Sequence, residues 1–188
     1  SEFIQMDLFP IISYIEKAIH HYYGLEKHIS VLNHLISEET FKECAAHKER
    51  ACVIYIEESP AECFLGFYVD KKIVNPLDQS PLLELNKKNL DLFWLLTEEI
   101  SHFILLSQRL MLARPTSLLE LEWQAEIDKI IVASHLLSQQ TGKPHYVQLI
   151  YTSFNEALIY KEDLHYHKAH HLAARFWFSR LKAGLGEK

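Results

Sequence analysis

The chain predicts an α+β fold that is mostly helical, and three observations carry that prediction. Apolar residues recur at helical spacing over most of its length. One short region, residues 51–75, changes to runs rich in β-branched and aromatic residues. The resulting order is helix, small sheet, then helices. At 188 residues the chain is long enough to bury the core of one domain. Residues 1–5 are expected to be a cloning scar or a disordered start, because Ser1-Glu2-Phe3 has the look of a restriction-site remnant ahead of Met6. Residues 6–142 are expected to form the α+β core, and residues 143–188 a C-terminal helical segment packed on it.

From Asp7 to Ile36 the positions Ile11, Ile15, Ala18, Ile19 and Tyr22, then Ile29, Leu32, Leu35 and Ile36, keep helical spacing with an interruption at Gly24. This predicts one bent helix or two short ones. Ser37-Glu38-Glu39 supplies a capping side chain and early acids for a helix running to His47. Ala51 to Ile56, Cys63 to Val69 and Ile73-Val74-Asn75 read as three strands of an antiparallel meander, broken by Glu58-Ser59-Pro60 and by Asp70-Lys71-Lys72. A loop from Asn75 leads to a helix from Asn89 to Ala113, ended by Arg114-Pro115. Ser117-Leu118-Leu119-Glu120 is a capping-box signature opening a helix to Thr141-Gly142, in which Glu122, Glu126, Ile130, Ala133 and Leu137 share one face. Beyond Pro144 the pattern is helical to about Lys182, with a break near Glu162-Asp163.

A net charge of −6 argues against a nucleic-acid binder, which needs a basic face to neutralise phosphates. Charges interrupt every apolar stretch, so no membrane span is expected, and the start lacks a secretory pattern. Cys44, Cys52 and Cys63 are odd in number and lack CxxC spacing, which suits reduced core or semi-buried thiols and a cytoplasmic location. There is no GxSxG elbow, phosphate loop or dinucleotide fingerprint.

Chemistry concentrates in Leu92-Phe93-Trp94-Leu95-Leu96-Thr97-Glu98-Glu99-Ile100-Ser101-His102-Phe103. A helix this apolar is buried, and a buried carboxylate must find a cation or a proton. Glu98 and His102 point the same way, and Glu99 sits one step round. That arrangement suits a metal site, an acid/base site, or a hydrogen-bonded cluster closed by a base such as Arg109, Arg114 or Lys129. A metallopeptidase helix carries histidines at i and i+4 that hold zinc, with a glutamate at i+1 that takes the proton from bound water. Glu98, Glu99 and His102 occupy those offsets, with glutamate in place of the first histidine.

With Leu65-Gly66-Phe67-Tyr68, Ile73-Val74-Asn75 and the later Glu122-Trp123-Gln124-Ala125-Glu126-Ile127-Asp128, this stretch resembles the ImmA/IrrE-type zinc peptidases, a family of minimal zincins, over roughly Val53 to Leu137. The resemblance implies a zincin-like core in which Glu98 replaces a histidine ligand, Glu99 matches the general base, His102 is a ligand, and Glu126 or Glu122 supplies the third. Such an oxygen-rich set could hold one divalent ion, and suits manganese or iron better than zinc. The anionic glutamate would leave the metal a weaker Lewis acid. The leading expectation is therefore a cytoplasmic regulatory or interaction protein, a pseudopeptidase or weak metal binder rather than an enzyme. Its partner would be another protein or a second copy, met through the C-terminal histidines and Phe176, Trp177 and Phe178.

Two alternatives follow from the same residues. One is an active metal-dependent peptidase or hydrolase using Glu99. The other is a di-iron carboxylate protein, because Glu99 with His102 and Glu162 with His165 both fit ExxH, with Glu16 and Glu126 completing the set. His167 and His171, four apart, fit a solvated or interfacial helix face better than a metal grip.

Overall fold

The computed structural model describes residues 2–25, 29–44, 51–59, 62–70, 73, 80–141 and 167–175. The first helix, α1 (Glu2–Tyr23), buries Ile11, Ile12, Ile15, Ala18 and Ile19 along one stripe. It stops where the sequence breaks. Gly24 takes a positive φ of 63°, with Gly24 N–H bonded to the His21 carbonyl at 3.4 Å and Leu25 N–H to that of His20 at 3.0 Å. This is a Schellman end, and the left-handed conformation favours glycine.

The apolar spacing of Ile29 to Ile36 does not make a second helix. Val31–His34 is a single 3₁₀ turn capped by Ser30, after which Leu35 bridges to Phe67 and the Ile36 N–H bonds the Phe67 carbonyl at 3.0 Å. The reason is tertiary. The Glu16 carboxylate of α1 accepts from the Val31 N–H at 2.7 Å and the Ser30 hydroxyl at 3.1 Å, fixing the turn's start and leaving its end to the sheet. α2 (Glu38–Cys44) opens on Ser37, whose hydroxyl accepts from the Thr40 N–H at 3.1 Å.

β1 (Ala51–Ser59) and β2 (Glu62–Val69) pair antiparallel from Ala51 opposite Val69 to Ser59 opposite Glu62, with an irregularity between Glu57 and Ser59. Among the described residues the sheet has these two strands. Of the expected third strand, Ile73 is helical, its N–H bonded to the Asp70 carbonyl at 2.9 Å, and Val74 and Asn75 lie outside the described residues. Phe67 meets Phe103 edge to face, and Tyr68 stacks on Phe41 with centroids 4.0 Å apart, which seats the hairpin between α2 and the next long helix. Cys44 and Cys63 are free thiols but exposed rather than in the core, standing at the end of a short helix and beside the hairpin turn.

After one helical turn, Ser80–Leu83, comes α3 (Leu90–Met111). It ends at Ala113, whose φ of 50° and the Arg114 N–H bond to the Arg109 carbonyl at 2.9 Å repeat the end seen at Gly24. α4 (Leu118–Thr141) starts with the anticipated capping box. The Ser117 hydroxyl accepts from the Glu120 N–H at 3.2 Å, and Glu120 accepts from the Ser117 N–H at 2.8 Å. Gln140 near the far end of α4 donates to the carbonyls of Pro81 and Leu82, tying down the approach to α3.

α3 and α4 pack against each other, α1 crosses both, and the hairpin lies on α3. Residues 167–175 form a further helix, α5, whose Ala173 joins the same apolar core. The molecule is mostly helical, and among the described residues no helix is long and apolar enough to cross a membrane.

Candidate functional site

The α3–α4 interface buries an unusual number of ionisable groups. Glu98, Glu122, Glu126, Asp128 and Lys129 are each no more than 8% exposed. Their spacing explains why they meet. Glu98 and Ser101 lie on the side of α3 that faces α4, and Glu122, Glu126 and Lys129 recur at three- and four-residue intervals on α4. Three arrangements result.

In the first, the Lys129 ammonium sits between two carboxylates, 2.8 Å from Glu98 Oε2 and 2.6 Å from Glu126 Oε1. The other Glu126 oxygen lies 3.1 Å from Nδ1 of His170 on α5. The backbone around the lysine is also held, since the Trp94 indole N–H donates to the Lys129 carbonyl at 3.2 Å. Burial alone would drive the proton off Lys129. The attraction of Glu98 and Glu126 outweighs it, so the amine is held above its ordinary range and stays charged. It is neither a nucleophile nor a base at neutral pH.

In the second, His102 stands between Glu99 and Glu122, with Nδ1 3.7 Å from the former and Nε2 3.8 Å from the latter. Burial opposes the imidazolium, but Glu99, Glu122 and Glu98 together raise the pKa above the ordinary histidine value. A histidine that prefers its proton must lose it before it can ligate a metal.

In the third, Asp128 collects hydrogen bonds from three directions: the Ser101 hydroxyl at 2.6 Å, the Tyr23 hydroxyl at 2.8 Å and the Gln124 amide at 3.0 Å. Burial pushes its carboxyl up to about 6, against the pull of those donors and of His102. Tyr23, through burial and the Asp128 charge, is driven above the usual phenol range.

The anticipated ligands are thus divided. Glu98 and Glu126 share Lys129, while His102, Glu99 and Glu122 form a neighbouring group; the inward placement of Glu122 and Glu126 with Ile130, Ala133 and Leu137 is as their spacing implies. Among the described residues, no three His, Cys, Asp or Glu side chains are grouped to hold a metal ion. Of the bases considered as partners, Lys129 pairs with Glu98, while Arg109 reaches Glu120 at 3.3 Å. Of the di-iron set, Glu16 caps the 3₁₀ turn beside α2, and Glu162 and His165 lie outside the described residues. Phe176, Trp177 and Phe178 lie outside them too.

His167 and His171 are exposed on α5, as a solvated face requires. The histidine that matters is His170 between them, which sequence reasoning passed over. Tyr23, Ser101 and Asp128 were also missed as a unit. The Glu126 to Lys129 spacing of three residues was a readable hint of a helical ion pair.

No family model, curated protein or solved structure matches this chain.

Proposed function

We propose that this protein is a regulatory or interaction module on a degenerate zincin-like fold, in which an internal ammonium stands where a peptidase of that type would hold its metal. The observation that carries the reading is Lys129 Nζ, within 2.8 Å of Glu98 and 2.6 Å of Glu126, two of the carboxylates the resemblance assigns to an ion. A tethered cation there leaves the pair of carboxylates satisfied without a metal. The order of hairpin, apolar helix with Glu98-Glu99-x-x-His102, connecting turn and acidic second helix supports the likeness to minimal zincins. Glu99 in this reading orients His102 rather than activating water.

An interaction role is supported by apolar side chains left on the surface around the α3–α4 turn. Met111, Leu112 and Leu118 are each about half exposed, at 48%, 58% and 54%. The partner is another protein or a second copy of the chain. The exposed free thiols Cys44 and Cys63 support a reducing, cytoplasmic setting.

The test is metal uptake by tag-free protein exposed to zinc, manganese or ferrous iron and then desalted, followed by elemental analysis. The wild type should retain none in stoichiometric amount, whereas Lys129→Ala should gain thermal stability on addition of a divalent ion. Retention of about one ion per chain by the wild type, abolished by both Glu98→Gln and Glu126→Gln, would overturn the reading.

A further inference from the structure

Two exposed apolar points stand at opposite ends of the α3–α4 pair. The first is Leu83, 79% exposed, with the Glu84 carboxylate beside it, also exposed. The backbone that carries them is held on both sides. The Gln140 amide of α4 donates to the carbonyls of Pro81 and Leu82, and its oxygen accepts from the Leu85 N–H at 2.9 Å. The Asn89 amide donates to the Glu84 carbonyl at 2.9 Å. Leu83 is therefore presented by a fixed corner, which removes much of the ordering cost of a contact there. The second point is the α3–α4 turn, where Met111, Leu112 and Leu118 are about half exposed and Arg114 is exposed among them in sequence. It is fixed too, by Arg109 on Glu120 at 3.3 Å and by the Arg114 N–H on the Arg109 carbonyl at 2.9 Å. Between the two points runs α3, whose 22 residues span about 33 Å at about 1.5 Å per residue. They cannot meet within one molecule. Their chemistry is nevertheless complementary: a protruding leucine with an anion next to it matches an apolar cluster that includes a guanidinium. Lys87 and Lys88 are exposed a turn further along, so Glu84 is the anion on which the match depends.

We propose that Leu83 and Glu84 of one copy dock on the α3–α4 turn of a second copy, with Leu83 among Met111, Leu112 and Leu118 and Glu84 against Arg114. The inference rests on the reading of that turn as an interaction surface and commits it to self-association; it holds whether or not the fold is zincin-like. One patch meets a different patch, so the contact is heterologous. A contact of this size is weak, with a Kd on the order of 10–500 µM.

Sedimentation equilibrium of the full chain across about 10–500 µM should show an average mass rising above that of one chain. The variants Leu83→Asp and Leu112→Asp, both at exposed positions, should each sediment as one chain. Mixed in equal amounts they should associate again, as pairs, because Leu83→Asp keeps an intact turn and Leu112→Asp keeps an intact Leu83. Glu84→Arg and Arg114→Glu should each weaken the association about three- to fivefold, and the two together should restore it. A wild type that keeps the mass of one chain throughout would overturn the proposal. So would single variants that stay apart when mixed, or a double charge swap no better than either swap alone. Binding of the wild type to vesicles of anionic phospholipid, lost in Leu112→Asp and without self-association, would assign the turn to a membrane instead. None of these outcomes touches the metal uptake that tests the internal ammonium, so the two readings fail separately.

Discussion

Two buried carboxylates, Glu126 and Asp128, stand two positions apart on α4 and are satisfied in opposite ways. Glu126 faces a full positive charge, the Lys129 ammonium at 2.6 Å, with His170 on its other oxygen. Asp128 faces hydroxyls and an amide, from Tyr23, Ser101 and Gln124. The consequence is visible in the two titrating groups. Lys129 keeps its proton more tightly than in water although it is buried, because two opposite charges outweigh the loss of hydration. Asp128 is pushed up to about 6, because burial outweighs its three neutral donors and the added pull of His102. Dipoles lessen the cost of burying a charge, and a counter-charge can reverse it.

Removing the counter-charge tests the first half of that contrast and should produce the largest effect. Lys129→Met leaves Glu98 and Glu126 facing each other across a buried gap, and breaking a buried pair in this way costs about 3–5 kcal/mol. Urea denaturation at neutral pH should show that loss. The triple variant Glu98→Gln, Glu126→Gln, Lys129→Met should recover most of it, since no uncompensated charge remains. If Lys129→Met alone were neutral, the trio would not be the ion-paired centre its distances describe.

Much of the scaffold around this centre was readable from local sequence. The Ser117 and Glu120 capping box and the break at Gly24 depend only on neighbours a few residues away, and both are present. The inward face of Glu122 and Glu126 followed from helical spacing. Where partners come from afar, the sequence misled or was silent. Ile29 to Ile36 has helical spacing, but Glu16 and Phe67 draw it into a 3₁₀ turn and a bridge. Nothing local singles out His170 from its histidine neighbours, because its burial depends on α5 docking against α4. Likewise Ser101 meets Asp128 only once α3 and α4 are packed.

The second half of the contrast is a pH effect. The folded carboxyl of Asp128 titrates near 6, above its ordinary value of 3.8, so between those values the folded state holds a proton that the unfolded chain has released. Its contribution is therefore present at low pH and is lost as pH rises from about 4 to about 6, by roughly 3 kcal/mol for a shift of this size. Asp128→Asn cannot ionise, yet keeps an oxygen for Tyr23 and Gln124. Stability measured across that window should lose this downward slope in the variant. An unchanged slope would mean that Asp128 is ionised throughout and that neutral donors suffice after all.

The smallest effect sharpens the comparison most directly, because it alters one dipole and no charge. Ser101→Ala deletes the shortest of the three hydrogen bonds to Asp128, 2.6 Å from hydroxyl to carboxylate, on a residue that is 1% exposed. Loss of a hydrogen bond to a charged group should cost about 1.5–3 kcal/mol above pH 6, where the carboxylate is ionised. Below pH 4 the carboxyl is protonated and can itself donate, so the cost should shrink. The midpoint of the Asp128 titration, followed by carboxyl carbon NMR, should move upward at the same time, since a donor that favoured the charged form has gone. A stability loss with no movement of that midpoint would assign Ser101 to packing alone. Both changes together would show that hydroxyl dipoles contribute to holding the Asp128 charge, though less strongly than an ammonium holds Glu126.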